Sequence, residues 1–198
     1  MSNKEYKKYI IFLVLAGALL RGSILTRNLD IIDRIFIPDD TYYTLSIARS
    51  MAEGKGPSAD GYQLTNGFQP LLGFILVPLF TLIKNPDCQL RVDLIFTCLF
   101  SIINIFLISL IVKLYSDSLR ALLAGLIWAI SPISISNALC GLETSLSLLF
   151  ILTIIILWTK IKTDQEKSIQ YIFLGVAIGL AVLARIDTVL LILSLIHI

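Results

Sequence analysis

Four long stretches of this chain carry no charged residue: 94–112, 121–142, 144–159 and 168–184. A bilayer's hydrocarbon core, about 30 Å thick, takes about 20 helical residues to cross, with about 17–25 as the working range. The first two stretches meet that length. The other two fall slightly short, but Lys160 and Lys167 at their ends can extend their ammonium groups to the interface. Only 15% of residues are charged and 57% are hydrophobic, against about 25% and about 45–50% in soluble domains. An ordinary soluble globular fold is thereby excluded. The expectation is an all-α integral membrane protein, a polytopic helical bundle embedded in the lipid bilayer.

The net charge is +2 and no Lys/Arg block appears, so nothing points to nucleic acid as a partner. Cys88, Cys98 and Cys140 lack both metal-ligand spacing and a disulfide framework. They read as isolated small apolar residues. At the N-terminus, Lys4, Lys7 and Lys8 precede an apolar run. A signal peptide would show a small-residue cleavage site leading into a soluble domain. More apolar runs follow instead, so this is a first transmembrane helix, at about 9–26, with Arg21 read as an anchor reaching toward the interface.

A polar stretch, 28–70, comes next. Its acids are Asp30, Asp33, Asp39, Asp40, Glu53 and Asp60, against Arg34, Arg49 and Lys55. Connections this long are usually functional or disordered, and the Tyr, Phe, Ile and Leu residues spread through it argue for order. Tyr42, Leu45, Ala48 and Ala52 recur at helical spacing after Pro38-Asp39-Asp40. The acids suit a helix start, and Gly54 and Gly56 suit its end. An amphipathic helix over 39–53, lying on the membrane surface, is expected. Asn66-Gly67 marks a turn, and Pro70 suits the first turn of a further helix.

The stretch 68–83 decides the topology. It is apolar but short, with Pro70 and Pro78 inside. Cytoplasmic loops carry an excess of Lys and Arg. If 68–83 spans, the connections holding Lys113 and Arg120 and holding Lys160, Lys162 and Lys167 both fall outside. If it does not span, both fall inside with the N-terminal lysines. The expected arrangement therefore has five spans, at about 9–26, 92–113, 119–137, 144–160 and 168–185. An extracytoplasmic loop with juxtamembrane helices then occupies 28–90. Asp39, Asp40, Glu143, Arg185 and Asp187 all arrive at the same non-cytoplasmic face.

Each of these residues has two readings. Adjacent Asp39 and Asp40 near a bilayer surface can take a proton from an attacking hydroxyl or hold a divalent cation; equally, one can cap a helix while the other is solvated. Glu143 is either a site residue or an acid at a helix start. Arg185 and Asp187 are either functional ionisable groups near the membrane or a structural pair. Tyr42 and Tyr43 are ordinary interfacial aromatics on this reading, and Asn66, Gln69 and Pro70 an ordinary turn and helix start. A transporter would also carry such charges, but near the midplane on broken helices rather than at one face. A non-catalytic membrane subunit that docks a partner through its loop is the other alternative.

Several of these segments, taken in order, resemble the first extracytoplasmic loop of the GT-C glycosyltransferases: Asp-Asp-Thr-Tyr-Tyr-Thr-Leu-Ser-Ile-Ala-Arg-Ser (39–50), Gly54-Lys55-Gly56, Asp60-Gly61 and Thr65-Asn66-Gly67-Phe68-Gln69-Pro70-Leu71. That superfamily uses polyprenyl-phosphate sugars and includes the protein O-mannosyltransferases, the lipid A aminoarabinose transferases and the bacterial arabinofuranosyltransferases. Asn-Ala-Leu-Cys-Gly-Leu-Glu-Thr (137–144) is similar to its second acidic motif, and Leu-Ala-Arg-Ile-Asp (183–187) to a motif at a later helix end. The resemblance implies the GT-C bundle and an inverting transfer from a polyprenyl-phosphate sugar to a hydroxyl of a glycan, lipid or protein acceptor. It implies a multi-pass protein of the cell (plasma or inner) membrane with a cytoplasmic N-terminus and a site facing outside. By resemblance Asp39 is the general base, Asp40 its second acid, and Glu143 the acid near the donor phosphate. Tyr42, Asn66, Gln69, Arg185 and Asp187 are further donor-phosphate or substrate-binding candidates. Arg185, or a divalent metal held by Asp39, Asp40 and Glu143, would supply the cation for the leaving phosphate. The superfamily has roughly twice as many spans, so the resemblance also implies that 1–198 is the N-terminal part of a longer membrane domain.

Overall fold

The computed structural model describes residues 2–163 and 168–197. Lys167, one of the bases assigned to a cytoplasmic connection, lies outside them, as does the last residue of the apolar run 189–198. The described chain is mainly helical: α1 (Asn3–Leu25), α2 (Leu29–Phe36), α3 (Asp39–Ala52), α4 (Pro70–Leu82), α5 (Pro86–Tyr115), α6 (Ser118–Ile130), α7 (Pro132–Leu139), α8 (Thr144–Thr163), α9 (Ser168–Ala184), a 3-10 turn (Ile186–Thr188) and α10 (Val189–His197). It is an all-α membrane bundle, with α2, α3 and α4 inserted between the first two long helices.

The helix ends follow from local chemistry. Ser2 and Glu5 form a reciprocal capping box on α1. Asn85 accepts from the N–H groups of Asp87 and Cys88 ahead of Pro86, and Asp117 accepts from those of Leu119 and Arg120 at the head of α6. Among the described residues, α1, α5 and α8 are long and apolar enough to cross a membrane. α4 is 13 residues and α9 17. Large apolar side chains remain exposed along the long helices, among them Phe12 and Leu19 on α1, Leu99 and Phe106 on α5, and Ile127 on α6. In water such rows would be unstable; in lipid they face solvent of their own kind.

α5 is the hub, packing against α1, α6, α7 and α8. The inserted helices join it through one apolar cluster. Ile32, Leu45, Leu72, Leu76 and Phe80 meet Leu90 and Leu94 of α5, Leu146 of α8 and Ala184 of α9. That cluster holds the middle of α3 against the start of α8 and the end of α9.

Two findings differ from the sequence reading. The stretch 119–137, read as one span, is broken: α6 and α7 meet at 55°. Pro132 has no N–H for an intrahelical bond and forces the preceding Ser131 out of helical geometry, to φ −60° and ψ 126°. Arg21 is no interfacial anchor. It is fully buried, donating to Ser101 Oγ (3.1 Å), the Gly17 carbonyl (3.2 Å), the Ala129 carbonyl (3.1 Å) and Ser134 Oγ (2.7 Å). Ala129 lies in the last turn of α6, where the break leaves carbonyls without helical partners and where a cation is favoured. Arg21 thus clamps α1, α5, α6 and α7 together at the bend.

Candidate active site

The loop after α3 is built to hold a short segment in place. Asp60 accepts from Ser58 Oγ and from the N–H groups of Tyr62 and Gln63, each at 2.9 Å. These bonds hold the Asp60 carboxyl below the usual carboxylate range. The Thr65 N–H reaches back to the Pro57 carbonyl (2.8 Å), Gly67 donates to Thr65 Oγ1 (3.1 Å), and that hydroxyl pairs with Tyr43 of α3 (3.2 Å). Asn66, Gly67 and Gln69 are thereby presented beside the first turn of α3.

Opposite stands the connection between α7 and α8. Gly141 has φ +68°, the left-handed region that favours glycine. The Thr41 hydroxyl donates to the Cys140 carbonyl, so α3 is fastened to this connection. Glu143 follows at the head of α8, its side chain 9% exposed. Burial raises its carboxyl above the usual glutamate range, opposed by its own backbone hydrogen bond and by the Arg185 cation.

Arg185 occupies an extended residue between α9 and the 3-10 turn, at φ −153° and ψ 125°. Its Nη1 donates to Glu143 Oε1 (3.2 Å), while Nε and Nη2 donate to Asp187 Oδ1 (3.3 Å) and Oδ2 (3.1 Å). The Asp187 carboxyl is held below its usual range by these bonds.

These parts surround one open cavity of about 920 Å³, lined by Asp40, Tyr43, Asn66, Gln69, Glu143 and Arg185 with backbone and apolar neighbours. A second cavity, of about 410 Å³, also borders Arg185. Trp128, Leu148, Ile151 and Leu191 give it an apolar wall, and Asn137, Ser145, Ser147, Asp187 and Thr188 add polar groups. Arg185 is a wall of both. The arrangement is a polar chamber and a mainly apolar one, joined at a single guanidinium.

Of the residues singled out from the sequence, Asp40, Asn66, Gln69, Glu143 and Arg185 line the larger chamber, and Asp187 lines the smaller. Asp39 is exposed and is not among the lining residues of either. Tyr42 is directed elsewhere. Its hydroxyl donates to Asp33, in a groove with Asp30, Arg49 and Asp87. Desolvation, then that carboxylate, pushes the phenol up to about 12. One residue along, Tyr43 is the tyrosine at the chamber. Among the described residues no group of three or more His, Cys, Asp or Glu is arranged to hold a metal ion. Asp39, Asp40 and Glu143 therefore do not converge as a ligand set.

Sequence reasoning passed over Asp93. It is fully buried in α5, and neither carboxylate oxygen has a hydrogen-bond partner among the described residues. It lies directly behind Gly141: a Cβ on that glycine would stand 2.6 Å from Asp93 Oδ2. The available signal was an acid at the edge of a long apolar run, which membrane proteins retain only for cause.

The family model of the dolichyl-phosphate-mannose-protein mannosyltransferases matches residues 69–198, well over half the chain. The matched part includes Gln69, Glu143, Arg185 and Asp187; the Asp39-Asp40 pair precedes it. No curated protein and no solved structure matches the chain.

Proposed function

We propose, for a chain that belongs to the dolichyl-phosphate-mannose-protein mannosyltransferase family and is a membrane glycosyltransferase of GT-C type, that it transfers a sugar from a polyprenyl-phosphate donor to an acceptor hydroxyl at the extracytoplasmic face, with inversion. The observation that carries this reading is the meeting of Asp40, Glu143 and Arg185 in one chamber, where Arg185 also bounds a second, mainly apolar one. A donor with a hydrocarbon tail and a charged, sugar-bearing head needs those two environments side by side.

The topology that goes with it has five spans, about 9–26, 92–113, 119–137, 144–160 and 168–185. The N-terminus is cytoplasmic, and α2, α3 and α4 lie on the far side. In the reaction, an aspartate of the α3 acid pair takes the acceptor's hydroxyl proton. The oxygen bonds to the anomeric carbon from the face opposite the phosphate, and the carbon–oxygen bond to phosphate breaks, its electron pair leaving with polyprenyl phosphate. Arg185 is set to stabilise the charge that develops on the leaving phosphate. Asn66 and Gln69 offer amide groups to the sugar or acceptor.

The resemblance of the loop motif assigns the base role to Asp39, while Asp40 is the member that lines the chamber. Transfer from a polyprenyl-phosphate sugar by the intact protein, measured for D39N and D40N, tests the pair. Loss of a general base lowers the rate by about 10²–10⁴. The variant that loses this much while retaining donor binding identifies the base. Undiminished transfer in both variants refutes the mechanism.

A further inference from the structure

Resting on the reading of Arg185 as the group that meets the donor phosphate, we propose that Asp187 is a built-in competitor for Arg185, which the phosphate displaces on binding and which returns as it leaves. The side-on edge of the guanidinium, Nε and Nη2, presents two parallel N–H groups and is the edge best suited to grip a carboxylate or phosphate. Here it is taken: Asp187 Oδ1 and Oδ2 lie 3.3 and 3.1 Å from those nitrogens. Nη1 is taken by Glu143 at 3.2 Å. An arriving phosphate thus meets one positive charge already shared by two carboxylates, with Asp40 on the same chamber. It gains a two-bond grip on Arg185 only by removing a carboxylate.

The two carboxylates differ in what removal costs. Glu143 is 9% exposed, so parting it from Arg185 leaves a buried, unpaired charge. Asp187 is 57% exposed and sits on a three-residue 3-10 turn. Released, its carboxylate is simply hydrated. Displacement therefore falls on Asp187, and Glu143 keeps the guanidinium aimed during the exchange. Asp187 also lines the smaller chamber, so it waits where the leaving polyprenyl phosphate must release Arg185. Its return opposes product retention, and tight product binding is a common brake on turnover.

The test is binding of geranylgeranyl phosphate, with geranylgeraniol as the uncharged control, to the intact protein in detergent. The fluorescence of Trp128, on the wall of the smaller chamber, offers a readout. Part-exposed ion pairs are worth about 0.2–1 kcal/mol. D187N is therefore expected to bind the phosphate about 1.4- to fivefold more tightly and the alcohol as before. R185Q is expected to lose the preference for phosphate in both backgrounds. If R185Q loses that preference while D187N binds phosphate no better or more weakly, Asp187 is a support for Arg185 and the competitor role is overturned. If R185Q leaves the preference intact, or the wild-type protein has none, the donor-phosphate reading of Arg185 itself fails, and this inference with it.

Discussion

Adding one methyl group at Gly141 puts a carbon where the fold has no room. An ideal Cβ there stands 2.5 Å from Thr41 Cγ2 and 2.6 Å from Asp93 Oδ2, with Leu94 Cδ2 at 3.6 Å. The backbone also sits at φ +68°. The left-handed conformation costs a non-glycine residue about 1–2 kcal/mol. Overpacking a tight interior adds about 1–3 kcal/mol, so G141A is expected to lose about 2–5 kcal/mol in all. Gly54 separates the two contributions. It has φ +77° and nothing within 4 Å of its ideal Cβ, so G54A carries only the conformational part. Unfolding of both variants in the same detergent, followed by helical signal, gives the comparison. Thr41→Ser removes the crowding methyl while keeping the hydroxyl bonded to Cys140, so T41S/G141A should recover part of the deficit. Such coupling is about 0.5–3 kcal/mol for touching residues. Transfer activity should fall more than stability alone explains, because Glu143 is two residues from the strained point. G141A as stable as G54A would refute the claim that α3, α5 and the Glu143 connection are packed in direct contact.

Two further outcomes are expected. Arg21→Met leaves the Ala129 carbonyl and two buried serine hydroxyls without the donor they accept from, at about 1–3 kcal/mol for each group left unsatisfied. Detergent unfolding should show a clear loss, with Arg21→Lys partly restoring it because lysine brings the charge without the fork. Glu143 gives a pH signature. Its folded carboxyl is raised, chiefly by burial, so the folded state holds the proton more tightly than the unfolded state. Stability should fall as pH rises from the ordinary value of 4.5 through the raised one. E143Q should flatten that part of the stability–pH profile; an unchanged slope would show that Glu143 does not titrate differently in the folded state.

The long helices and the inserted loop helices were legible because apolar runs and capping residues are local signals. Which face of each helix turns inward was not. In water the buried face is apolar and the other polar, so the sequence carries a stripe. In lipid both faces are apolar, and the stripe fades. Arg21 shows the effect: a lone base at a helix end suits the interface as well as the core, and only the break at Ser131 creates the carbonyl it caps. The break itself had a signal in Pro132, masked by the unbroken hydropathy around it. Tyr42 and Tyr43 differ by a rotation of about 100° along α3, enough to send one to the chamber and one to Asp33. Glu143, Arg185, Asn66 and Gln69 line one chamber; the five-span reading would put them on one side of the bilayer, a relation of parity that sequence can carry. Asp187's grip on the side-on edge of Arg185 depends on a 3-10 turn of three residues, which no periodicity announces.

The bend between α6 and α7 also acts as a ruler. At about 1.5 Å per residue, the eight residues of α7 would advance about 12 Å along a straight continuation of α6. Tilted by 55°, they advance only about 7 Å in that direction. The difference is about one helical turn, and it is subtracted from the height at which the chain delivers Glu143. In this bent arrangement Glu143 stands 3.2 Å from Arg185. The position of the chamber's buried acid thus depends on a proline and a buried arginine that do not line the chamber.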